Sequence, residues 1–204
     1  MVKLDSDLRR LKLWAAISTV TIVLYVVCAA AFAFSGFAIL ATESSPNETL
    51  LGFYGLTAIG NAAIFYVSAF AIAMWIYRAH HNLEELGHSG LEFTPGWSVG
   101  WFFVPFANLV MPFQAMRELW NLSCGTEGSG TPILPLWWGC FLSGGLAMSL
   151  ASLIGGKSAD PLLLLPMMGG GSILRLVSAV IMGIIIRRVT SAQASMEGIG
   201  AAFD

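Results

Sequence analysis

The chain has 204 residues, of which 56% are apolar and only 11% carry charge, 12 acidic against 10 basic. Soluble domains carry charge on about a quarter of their residues, so this balance excludes an ordinary soluble enzyme and a disordered chain. The formal net charge of −2 gives no field to attract nucleic acid, and no nucleic-acid partner is expected. With a mean hydropathy of +0.75, the solvent of this chain is mostly lipid.

The predicted elements in chain order begin with an uncharged run at residues 13–41. Lys3, Arg9, Arg10 and Lys12 precede it, as in a signal peptide. The run is longer than the ~7–15 residues of a signal h-region, so it is read as a retained span. A second span covers residues 50–77, a third 132–154 and a fourth 164–186. Each is close to the ~20 apolar residues a bilayer requires, or exceeds it. In hydrocarbon the backbone must bond to itself, so these runs must be helices. The expected fold is one all-α integral membrane domain with four transmembrane helices.

Residues 93–121 form a Pro- and Trp-rich segment between the second and third spans. Pro95, Pro105 and Pro112 break it, which argues against a fifth span. It is expected to lie on the interface or to re-enter the membrane. Trp97, Trp101, Phe102, Phe106 and Trp120 are its candidate interfacial aromatics. Pro112 suits the first turn of a short helix running to about residue 121. Basic residues set orientation: with the N-terminus inside, Arg78, Arg117, Arg187 and Arg188 join the first four on the cytoplasmic side, and only Lys157 falls outside. The expected location is the cell membrane, multi-pass, with both termini cytoplasmic.

Arg175 is the first candidate site residue. A central arginine costs at least ~2.5–3.5 kcal/mol on insertion scales, and intramembrane charge points to function by default. No Asp or Glu occurs in any span. Asn61 in the second span could accept from it, and Asn108 and Gln114 are the polar side chains of the aromatic segment. These four are the candidate ligand-binding set, for a small anionic or lipidic solute. The alternative is structural, an arginine that snorkels or clamps backbone carbonyls.

A helix continued to Leu86 sets His80 four residues from Glu84, and His88 follows Gly87, a C-cap. His80, Glu84 and His88 are a weak metal set, because HExxH is absent and paired ligands alone do not close a site. No cofactor is expected. Neither GxSxG nor a P-loop occurs, and Cys28, Cys124 and Cys140 form no CxxC. Gly139, Ser143, Ala147, Ala151 and Gly155 are spaced by four in the third span, as are Gly171, Arg175, Ala179 and Gly183 in the fourth. Such rows serve intrachain packing or a homo-oligomer or protein partner.

The stretches Trp75-Ile76-Tyr77-Arg78-Ala79-His80-His81-Asn82-Leu83, Phe93-Thr94-Pro95-Gly96-Trp97-Ser98-Val99-Gly100-Trp101 through Pro105-Phe106-Ala107-Asn108-Leu109, Pro112-Phe113-Gln114-Ala115-Met116-Arg117-Glu118-Leu119-Trp120 and Leu136-Trp137-Trp138 resemble the bacterial membrane family called domain of unknown function 4328. The resemblance covers most of the chain. It implies four membrane helices with the aromatic segment in the middle, and it supplies no activity or site residue. The expected role is a non-enzymatic scaffold or accessory subunit. The alternative is a transporter or channel-like protein using Arg175, and the third reading is a membrane metalloenzyme.

Overall fold

The computed structural model describes residues 2–42, 47–88, 90–125, 132–154 and 161–200. Lys157 and Gly155 lie outside them. The described residues form no strand. Helix α1 spans Val2–Leu40, α2 Glu48–Glu85, α3 Pro95–Gly100, α4 Met111–Cys124, α5 Ile133–Ile154 and α6 Pro161–Gly200. Two 3₁₀ turns, Trp101–Phe103 and Ala107–Leu109, join α3 to α4. Helices α1, α2, α5 and α6 are each long and apolar enough to cross a membrane.

Local chemistry sets the boundaries. Asn47 caps α2 by accepting from the Leu50 N–H at 2.8 Å. The helix stops at Leu86, followed by Gly87 at φ +88°, the left-handed residue that ends many helices. Thr94 caps α3, with Pro95 in the first turn, where a missing N–H loses nothing. Pro112 does the same for α4, which ends at Gly125 with φ +64°. Val104 is extended, as a residue before proline must be. Phe106 then takes φ +63°, strained for a residue with a Cβ.

The long helices pair as two antiparallel hairpins, α1 with α2 and α5 with α6. The hairpins meet mainly through α1 and α6, and more sparingly through α2 and α6. Their shared core sits at one end. Leu11, Trp75, Ala79, Leu83, Ile185, Ile186 and Val189 are buried there with Met116, Leu119 and Trp120 of α4. This end also carries Arg9, Arg10, Lys12, Arg78, Arg117, Arg187 and Arg188, and is the basic end. Toward the far end burial thins out: no residue of α2 before Ser68 is buried.

The aromatic segment stays at the basic end. Trp138 Nε1 of α5 donates to the Leu109 carbonyl at 2.8 Å. Glu118 accepts from the Glu92 and Phe93 N–H groups, the latter at 3.1 Å, tying the start of the segment to α4. Ser123 of α4 accepts from Gln193 Nε2 of α6 at 2.9 Å. The segment therefore leaves α2 and returns to α5 at the same end of the bundle.

Candidate functional site

Arg175 lies on α6, between its own hairpin and the other one. Its stem lies against Gly144: a Cβ there would stand 3.0 Å from Arg175 Cγ. Its head crosses to the other hairpin, with Cζ 5.2 Å from the Phe65 ring centroid of α2. Tyr25 of α1 lies close enough to feel the charge, and its ring is 5.9 Å from that of Phe65. Nε of Arg175 is buried without a hydrogen-bond partner. Among the described residues no carboxylate forms an ion pair with it. The face of Phe65 receives it on that hairpin, a cation–π interaction of ~0.5–2 kcal/mol.

Asn61 precedes Phe65 by four residues and so shares its face of α2. Its Oδ1 is also buried and unpartnered. The site thus holds an unspent donor and, one turn along α2, an unspent acceptor. Asn108 and Gln114 do not join it. Asn108 neighbours Leu109, which is bound by Trp138, six residues along α5 from Gly144 and so about 9 Å away along the helix axis. The candidate ligand set divides into Arg175 with Asn61 at depth and Asn108 with Gln114 at the basic end.

The aromatics divide as well. Phe103 and Phe106 are 81% and 87% exposed, and Trp97 is exposed beside Trp101, with ring centroids 4.8 Å apart. Phe102 packs edge-on against Trp138. Trp120, expected at the interface, instead fills the core at 3% exposure.

The histidine cluster is not brought together. His80 is wholly buried, with Nδ1 3.0 Å from the Ile76 carbonyl oxygen, whereas Glu84 is exposed. His81, the neighbour, stands 4.0 Å from Glu85. No group of three His, Cys, Asp or Glu among the described residues is placed to hold a metal.

The small-residue rows are used in part. Gly171 meets Ala147 and Met148, and Ala151 is buried, whereas Gly139 and Ser143 are exposed. The tightest approach is at Gly144, outside the spaced row.

A polar knot at the basic end had no counterpart among the sequence candidates. Gln193, wholly buried on α6, donates to the Ala79 carbonyl at 3.1 Å and to Ser123 Oγ at 2.9 Å. It accepts from Asn82 Nδ2 at 2.9 Å. Trp75 Nε1 donates to Thr190 Oγ1 at 3.0 Å nearby. A signal did exist: Gln193 completes the stripe Ile185, Val189, Gln193, spaced by four, where an apolar residue would be ordinary. Burial pushes the Cys124 thiol up, against the opposing influence of Arg188.

No curated protein and no solved structure matches this chain. A family model, described as Domain of unknown function (DUF4328), matches residues 43–193. That stretch takes in three of the four long apolar helices, the aromatic segment, Arg175 and the polar knot, and the chain belongs to this family.

Proposed function

We propose that this is a non-enzymatic membrane protein that binds an anionic, lipidic solute between its two hairpins, with Arg175 as the counter-charge. The observation that carries the reading is the guanidinium itself. It lies in a membrane-length helix, facing protein, with a buried Nε that no acceptor meets. The cation–π contact with Phe65 offsets only part of an insertion cost of roughly 2.5–3.5 kcal/mol. An anion supplies the remainder. A single guanidinium suits a single carboxylate, which it can hold through two parallel hydrogen bonds. The apolar walls and the sparse burial toward the far end suit a solute that arrives from lipid. Asn61 offers a second polar contact. The basic end is the cytoplasmic one in this reading, with both termini there.

A scaffold or accessory subunit is the second reading. The exposed Gly139 and Ser143 support it, because they leave a small-residue edge of α5 free for a second copy or a partner helix.

Binding of radiolabelled palmitate to the purified protein tests the first reading. The wild type should retain it, and Arg175→Leu should lose at least about tenfold in affinity while unfolding at the same or higher temperature. Equal binding by the variant would refute the Arg175 site.

A further inference from the structure

At the basic end α1 and α6 leave an open groove of about 590 Å³ between them. Lys12 and Arg187 are exposed along it, Arg187 deeper than Lys12 because α1 and α6 run antiparallel, and Thr19, Thr190 and Ser191 line it. Val20, 58% exposed, forms its inner wall. From Lys12 to Val20 is eight residues of helix, about 12 Å toward the bilayer centre.

The polar lining offers donors. Thr190 Oγ1 accepts from Trp75 Nε1, so its own proton is left to give. Among the described residues no acceptor takes that proton or the Ser191 proton. No carboxylate among them forms an ion pair with Lys12 or Arg187. Thr19 spends its proton on the Ala15 carbonyl and contributes mainly its methyl group. Two cations and two spare hydroxyls along the groove call for an anion with several oxygens. The apolar wall below calls for a hydrocarbon chain attached to it.

We propose that this groove binds one anionic phospholipid, its phosphate between Lys12 and Arg187 and one acyl chain along Val20. Basic clefts between membrane helices hold anionic headgroups by this combination. The site lies on a different pair of helices from the Arg175–Phe65 contact and does not depend on it.

Native mass spectrometry of the full chain, released from micelles carrying phosphatidylglycerol or phosphatidylcholine, tests the assignment. The wild type should retain one phosphatidylglycerol and discriminate against phosphatidylcholine. Each interfacial cation contributes roughly a factor of five, so Lys12→Gln with Arg187→Gln should weaken retention about twenty-five-fold. Val20→Trp, which fills the inner wall and keeps both charges, should also release the lipid. Arg117→Gln, which removes a basic charge outside the groove, should leave retention unchanged. Inorganic phosphate should not displace the lipid. Retention unaffected by both the double variant and Val20→Trp would overturn the proposal. Displacement by millimolar inorganic phosphate would overturn it too, since the groove would then hold free phosphate.

Discussion

Gly144 and Arg175 fit each other because position 144 lacks a side chain. A Cβ there would come within 3.0 Å of Arg175 Cγ and 2.9 Å of the Gly171 carbonyl oxygen. Helices in lipid gain little from the hydrophobic effect and associate through such close approaches. The same contact that joins α5 to α6 also sets the direction of the arginine, because its stem has only the glycine surface to run along.

Gly144→Val should therefore separate α5 from α6. The expected destabilisation is about 1–3 kcal/mol, the usual range for overpacking. Thermal unfolding in detergent measures it. Gly139→Ala is the control: nothing lies within 4 Å of a Cβ at that position, so the variant should match or exceed the wild type.

Gln193→Leu should weaken the basic end. It removes three hydrogen bonds and strands the buried Asn82 amide. Each orphaned buried group costs about 1–3 kcal/mol. Adding Asn82→Leu should cost less than the sum of the two single changes. Additive losses in a double-mutant cycle would show that the two amides do not act together.

Phe106→Gly should raise the unfolding temperature while loosening the segment from the bilayer surface. Glycine relieves a positive φ worth about 1–3 kcal/mol. The ring it removes is 87% exposed and is free to enter the interface. Quenching of the Trp97 and Trp101 fluorescence by brominated lipid should fall. Unchanged quenching would mean that the ring does not anchor the segment.

Much of this architecture was readable from particular residues. Proline 112 marked the first turn of α4, and Gly87 marked the end of α2. Proline lacks the N–H that a helix interior needs, and glycine alone takes positive φ without strain, so both signals are local. Helix lengths were less readable. Helix α6 runs on to Gly200, because charge ends an apolar run without ending a helix. The packing face of α5 was legible only in part, for a geometric reason. Positions four apart drift by about 40° each step around a 3.6-residue helix, so a five-member row turns away from its partner. The true contact shifts row, through Gly144 and Ala147 to Ala151. The Asn82–Gln193 pair joins residues 111 apart, and nothing local names the partner.

The central claim is that the tryptophan-rich segment turns back without traversing the bilayer. With native cysteines replaced, single cysteines at Arg117, Ser195 and Leu153, each an exposed position, can be labelled with a membrane-impermeant maleimide in sealed, oriented vesicles. Positions 117 and 195 should react from one side and position 153 from the other. Reaction of 117 and 195 from opposite sides would mean that the chain crosses an odd number of times between them. Reaction of 153 from the same side as 117 would remove the third crossing, and either result would contradict the fold described here.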